Sequence, residues 1–265
     1  MSKLVKFTGI LAVTILAAAQ AQATIVFSDN FNSYVSGNLD GQGPWLATAP
    51  AATPIQVNSG IGRAVVGTSG QDDYAPLTSG SITPGDGNSF YFSLTLDVTS
   101  AQATGDYFMH DSTPAGTTSV FNDRLFVKSS GAGYVLGIVE TSGGAVVAYG
   151  SSVLTLGTDY QVVVAHHYIA GALNDTLAVY VNPTDTSVEL NNTAYVTKAW
   201  TSTTAESTTV GAMNLRQGSA ASAPAEQVDN ILASTTFADV VPEPSTIMLV
   251  GAGLAGMLAM RRRRS

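Results

Sequence analysis

The chain has 265 residues, of which 11% are charged and 45% hydrophobic, with 26 glycines and no cysteine. So low a charged fraction, in a sequence rich in Gly, Ser, Thr, Ala and Val, excludes helix bundles, coiled coils and ordinary cytosolic enzymes. The formal net charge of -8 excludes a nucleic-acid binder, which needs clustered cations to neutralise phosphates.

Taken from the start, Lys3 and Lys6 precede an apolar run from Phe7 to about Ala19, and Ala21-Gln22-Ala23 follows with small residues. This order predicts a secretory signal peptide over residues 1–23, handled by the Sec translocon and cut by signal peptidase after Ala23. The apolar run is shorter than the ~20 residues that span a bilayer.

From Thr24 to Val240 the pattern is that of strands. The segment Phe90 to Val98 alternates apolar and polar residues, as a half-buried strand must. Further strands are predicted at Ile25 to Phe27, Gly62 to Gly67, Tyr107 to His110, Arg124 to Ser129, Tyr134 to Glu140 and Ala145 to Tyr149. Later ones are predicted at Tyr160 to Tyr168, Thr176 to Asn182, Ser207 to Gln217 and Val228 to Phe237. Gly, Asn, Asp and Ser clusters such as Ser129-Ser130-Gly131-Ala132-Gly133 separate them. A helical period is not sustained anywhere in this region, although Val188 to Val196 can hold a turn of helix. Many short strands without intervening helices define an all-β antiparallel sandwich, here one domain over residues 24–240.

The segment Phe27-Ser28-Asp29-Asn30-Phe31-Asn32-Ser33-Tyr34, with Gly37-Asn38-Leu39-Asp40-Gly41-Gln42-Gly43-Pro44-Trp45 after it, resembles the opening of concanavalin A-like (laminin G-like) jelly rolls of exported bacterial proteins. The run from Tyr160 to Pro183 and Val228-Asp229-Asn230-Ile231 resemble their later strands. The resemblance implies that the last strand pairs beside the first, placing Val228 to Phe237 along Ile25 to Phe31.

Jelly rolls include glycoside hydrolases, which need two carboxylates about 5 to 9.5 Å apart. On one strand face that means a spacing of two or four residues. Glu140, Glu189, Glu206 and Glu226 have no aspartate so placed, and Glu140 reads as an exposed strand end, so no catalytic residue is assigned. Asp72-Asp73 reads as a solvated turn that can offer oxygens to Ca²⁺, the one cofactor considered, and Asp29 with Asp229 makes a second such pair if the terminal strands meet. His166 and His167 are consecutive and point to opposite faces of a strand, so with His110 distant they do not form a zinc site. Trp45, in a Gly-Pro loop, is the candidate surface platform for stacking on a sugar. Asn174 and Asn191 lie in Asn-x-Thr sequons, which carry no information in a bacterial protein.

The C-terminal segment 241–265 has three parts: Pro242-Glu243-Pro244, an uncharged apolar stretch over residues 246–260, and Arg261, Arg262, Arg263 and Arg264. The stretch suits a single short transmembrane helix, and the arginines place its end in the cytoplasm by the positive-inside rule. The prolines disfavour helix and hold the segment around Glu243 extended at the membrane edge, where a protease cleft can take it.

This tail resembles the PEP-CTERM sorting signal of Gram-negative bacteria. That resemblance implies an exosortase-type membrane protease as partner, processing near Pro242, Glu243 and Pro244, and a destination at the cell surface or extracellular matrix alongside extracellular polysaccharide and biofilm formation. Without both ends, five cations (Arg63, Arg124, Lys128, Lys198, Arg216) face 18 carboxylates, a balance of -13. The leading expectation is a non-enzymatic exported protein, structural or polysaccharide-binding. The alternative is a divergent polysaccharide hydrolase or lyase on the same scaffold.

Overall fold

The computed structural model describes residues 25–113, 120–141 and 146–241. The proposed signal peptide with Ala21 and Ala23, the Pro242-Glu243-Pro244 motif, the apolar stretch and Arg261 to Arg264 lie outside the described residues. Among the described residues no helix is long and apolar enough to cross a membrane.

Sixteen strands follow one another: β1 (Ile25–Asp29), β2 (Gly37–Asn38), β3 (Leu46–Ala47), β4 (Gln56–Asn58), β5 (Arg63–Val66), β6 (Asp73–Pro76), β7 (Ser89–Ser100), β8 (Asp106–Ser112), β9 (Phe121–Ser130), β10 (Gly133–Val139), β11 (Ala148–Tyr149), β12 (Tyr160–His167), β13 (Thr176–Val181), β14 (Val196–Ala199), β15 (Ala212–Leu215) and β16 (Ala225–Ser234). A 3-10 turn at Glu189–Asn191 follows β13, and a one-turn helix α1 (Phe237–Val240) follows β16. The first sheet runs β14-β13-β12-β7-β16-β5-β4-β2, with β1 also on β16, and the second runs β11-β10-β9-β8-β15-β6-β3. The pairings are antiparallel, which makes the all-β sandwich expected from the strand pattern.

Alternation explains why these segments form two sheets around one core. Leu94, Leu96 and Val98 of β7, Val162 and Val164 of β12, Leu125 and Val127 of β9, and Leu136 and Ile138 of β10 all point between the sheets. Each such side chain contributes about 1.5–3 kcal/mol on burial, offset by the entropy of ordering the chain. The terminal strands meet as expected, with Ile25 opposite Ser234 and Asp29 opposite Ile231. Some inward positions break the apolar rule, and among them Glu226 of β16 is buried with neither carboxyl oxygen partnered. Burial raises its pKa well above the usual range, so it sits in the core as a neutral acid.

The short strands differ most from the sequence pattern. β2, β3, β4 and β14 are two to four residues long and carry too little alternation to be read. The stretch read as a strand up to Phe237 ends at Ser234 and turns into α1. Of Ser207 to Gln217, Ala212–Leu215 is strand, with one bridge at Val210.

Trp45 is not a surface platform. It is 0% exposed, its ring lying edge-on to Phe27 at 5.9 Å and stacked with Phe31 at 6.0 Å. Its indole N–H donates to Asp29 Oδ2 at 2.7 Å, and the same carboxylate accepts the Tyr34 hydroxyl and the Phe31 backbone N–H. The Gly-Pro sequence that suggested exposure is instead a loop folded inward around Asp29. Trp45→Ala is therefore expected to destabilise the protein by about 3–5 kcal/mol in urea denaturation, where an exposed tryptophan costs a few tenths.

Candidate functional site

The two outer faces of the sandwich differ. On the first sheet, Tyr91, Val163, Ala165, Ala178 and Tyr180 are covered by Phe237, Val240 and Val241. On the second sheet, among the described residues, no helix lies over the outward side chains, and these are aromatic and cationic.

That face follows from strand alternation. In β9, Leu125 and Val127 enter the core, so Arg124, Phe126 and Lys128 face outward. In β8, Phe108 enters and Tyr107 faces out; in β15, Met213 and Leu215 enter, and Arg216 follows on the outward side. Tyr107, Phe126 and Val139 form the buried floor, with Phe121, Val147 and Tyr149 packed around it. Tyr149 lies on β10 because Gly137 opposes it: a Cβ there would come within 2.6 Å of the ring.

Two guanidiniums lie over the Tyr107 ring. The Arg216 guanidinium carbon is 4.0 Å from the ring centre and that of Arg124 is 5.0 Å away. The Lys128 ammonium is 5.3 Å from the Tyr149 ring. Three of the five cations between residues 24 and 241 thus meet on one face of a domain with a balance of -13. Arg216 donates to Asp106 Oδ1 at 3.0 Å and to the Tyr107 carbonyl at 3.1 Å. Arg124 donates to the Thr141 carbonyl, makes no carboxylate ion pair among the described residues, and has a buried Nε without a partner. Burial lowers its pKa, and the nearby Arg216 charge lowers it further. Guanidiniums over aromatic rings are fixed in direction and keep their planar N–H forks, which suit a carboxylate or other planar anion. The alternation Arg124-Leu125-Phe126-Val127-Lys128 carries half of this signal in the sequence; Tyr107 and Arg216 join through pairing register.

The other candidates fall elsewhere. Asp73 opens β6 rather than a solvated turn, and its carboxyl faces away from that of Asp72. Asp72 accepts the Gln217 backbone N–H at 2.8 Å, while Asp73 accepts the Gln71 amide at 2.8 Å. Burial raises both pKa values, Asp73 to about 6. Among the described residues no group of three or more acid or histidine side chains is arranged to hold a metal ion. Asp29, engaged with Trp45 and Tyr34, is likewise not free to share an ion with Asp229. Glu140 is not an exposed strand end but fully buried: Lys198 Nζ lies 3.1 Å from Oε2, and Oε1 accepts the backbone N–H groups of Thr201 and Ser202. The two consecutive histidines do face opposite ways, His166 into the core and His167 toward Glu189. His110 is buried beside Phe121, its Nδ1–H donating to the Asp111 carbonyl, and burial lowers its pKa to about 4. At the β7–β16 bulge a cleft of about 330 Å³ is lined by Ser93, Leu94, Thr95, Gln161 and Asn230, all uncharged.

Behind the cationic face lies a polar clasp between the sheets. His166 of β12 donates through Nδ1 to Asp123 of β9 at 2.9 Å and through Nε2 to Asp175 at 3.1 Å, while its ring stacks on Tyr168 at 4.1 Å. Desolvation disfavours the imidazolium, but the Asp123 charge and the hydrogen bonds to Asp123 and Asp175 outweigh it, raising the pKa to about 10. Asp111 beside them is pushed well up by burial and by the Asp123 charge.

The described residues thus form a jelly-roll sandwich with an aromatic, cationic surface on its second sheet. Residues 240–264 match the PEP-CTERM protein-sorting motif, so the chain carries that motif at the end of its β domain. The motif implies export and a C-terminal anchoring signal processed at the cell surface by an exosortase-type membrane protease. No curated protein sequence matches the chain. Among solved structures, the alginate lyase of a Chlorella virus is similar with a TM-score of 0.50, 11% identity, and coverage of 80% of this chain and 100% of that one. Peanut lectin has a TM-score of 0.45 at 14% identity, with 79% and 97% covered. The endo-β-1,4-glucuronan lyase of the fungus Trichoderma reesei has 0.44 at 10% identity, with 83% and 99% covered. The first of these supports the jelly-roll fold, and the fold alone.

The clasp makes stability pH-dependent. A histidine whose folded pKa lies above its unfolded value of about 6.5 contributes fully below that value and loses its contribution as pH rises through about 10. The urea midpoint should therefore fall between pH 7 and 10, and His166→Gln should flatten that fall while lowering the midpoint at pH 6.

Proposed function

We propose that this is an exported, non-enzymatic surface protein whose sandwich domain binds polysaccharide on the outer face of the second sheet, with acidic glycans as the preferred ligands. The observation that carries the reading is Arg124 and Arg216 over the Tyr107 ring, with Lys128 over Tyr149 beside it. The rings hold the guanidiniums in place from below, and a guanidinium offers a planar fork that matches a sugar carboxylate. An acidic glycan can use Arg124 and Lys128, which have no carboxylate ion pair among the described residues, and Arg216 by exchange with Asp106.

Binding rather than turnover suits the groups at the face. Asp106 is held by Arg216 and Asp72 by the Gln217 backbone, so neither is poised as an acid or base. Glu140, the one glutamate on the second sheet, is consumed by Lys198 and the loop at Thr201 and Ser202.

Affinity electrophoresis of the exported protein in gels containing a polyuronate or a neutral β-glucan tests this. Polyuronate should retard the protein, and Arg216→Ala and Arg124→Ala should each weaken retardation by roughly ten- to a hundredfold, as loss of a charge-assisted hydrogen bond of about 1.5–3 kcal/mol requires. Absence of retardation by any acidic glycan, or retardation untouched by both substitutions, would overturn the proposal. Release of reducing or unsaturated ends from the polyuronate would replace it with an enzymatic reading.

A further inference from the structure

The path from β16 into the sorting motif is packed rather than loose. After Ser234 the chain turns: the Thr236 backbone N–H donates to Ser234 Oγ at 3.1 Å, and that hydroxyl donates to Asp239 Oδ2 at 2.8 Å. Helix α1 then lays its apolar side on the outer face of the first sheet. Phe237 meets Tyr91 edge-on at 5.7 Å and Tyr180 at 5.6 Å. Phe237, Val240 and Val241 are 4%, 0% and 1% exposed, in one cluster with Val163, Ala165 and Ala178. The two tyrosines are fixed by Glu189, which accepts their hydroxyls at 2.7 and 2.8 Å and lies 3.1 Å from His167 Nε2.

The motif match begins at residue 240, so its first two residues, Val240 and Val241, are core residues of the β domain. In the sequence a single residue, Pro242, separates buried Val241 from Glu243.

We propose that docking of Phe237, Val240 and Val241 on Tyr91 and Tyr180 restrains processing of the sorting motif, making Phe237 a positioning residue for that reaction. A peptide-binding cleft takes its substrate as extended chain, with pockets for alternate side chains. Residues 237–241 meet neither condition while docked, since they are coiled into α1 and their apolar side chains are buried. The protease gains the chain ahead of Pro-Glu-Pro only when this segment leaves the sheet. That opening is local: α1 is one turn long and has no side-chain hydrogen bond at its N-cap, so its apolar contacts with the sheet are what hold it. The sheet beneath is tied by β16 and β7 and stays folded. The inference is independent of the glycan-binding reading, because it concerns the opposite face.

The test is pulse-chase processing of the full chain in a host with its exosortase, followed by intact mass. A Gly-Ser-Gly-Ser insertion between Val241 and Pro242 supplies extended chain without disturbing α1. Phe237→Ala weakens the docking, and Phe237→Leu keeps an apolar side chain there. The insertion and Phe237→Ala should each raise the processing rate roughly tenfold, with Phe237→Leu close to the parent. Hydrogen exchange should show residues 237–241 protected in the insertion variant and unprotected in Phe237→Ala, a split that a general loss of stability does not produce. Processing of the insertion variant at or below the parent rate overturns the proposal. If the Phe237→Ala precursor is degraded, the insertion variant decides alone.

Discussion

The contact on which the sandwich depends is the bridge from His166 to Asp123 and Asp175. Most of what holds the two sheets together is apolar and undirected, and such a core tolerates sliding of one sheet over the other. The imidazolium between two carboxylates is directed: Nδ1 and Nε2 diverge at fixed angles, and both acceptors must be in place. Removing one partner leaves a buried charge uncompensated, which costs far more than the intact pair contributes. The clasp thus penalises every arrangement of β9 against β12 except the observed one. Asp111 follows from it: burial and the Asp123 charge push the pKa of this third carboxyl well up.

The same scarcity of cations governs the rest of the molecule. With five cations for 18 carboxylates, each placement is informative. Lys198 is spent on Glu140 inside the fold, where the pair ties the loop at Thr201 and Ser202 to the end of β10. Arg63 forks onto Asp159 at 2.7 and 2.6 Å at the rim of the first sheet. The remaining three share one face of the second sheet, where burial, and after it the Arg216 charge, lowers the pKa of Arg124. Arg216 is held there by Asp106 and the Tyr107 ring, whereas Arg124 has the rings and the Thr141 carbonyl but no carboxylate partner among the described residues.

The sequence made the long strands legible because β7 alternates toward its end, while β10, β12 and β13 are apolar runs bounded by Gly, Asn, Asp and Ser. It hid what depends on partners distant along the chain. Glu140 looks like an exposed strand end until Lys198 and Thr201 arrive from some 60 residues away. Trp45 looks exposed beside Gly43 and Pro44 until Asp29 is seen to accept its indole N–H. Asp73 looks like a turn because β6 pairs with β15, nearly 140 residues on, and has no local partner. The cationic face was half visible in Arg124, Phe126 and Lys128. Completing it needed β8 and β15 to be neighbours, which they are only through the crossover topology.

That topology also relates the two functional ends of the domain. Because β1 and β7 both pair with β16, the last strand is central in the first sheet, and the segment after it can fold only onto that sheet's outer face. Phe237 and the valines occupy that face, and the sorting motif starts there. The aromatic, cationic face belongs to the second sheet and points the other way, with the width of a sandwich, about 10 Å between the backbones, in between. The segment that leads into the sorting motif therefore covers one sheet, and the aromatic, cationic face lies on the other.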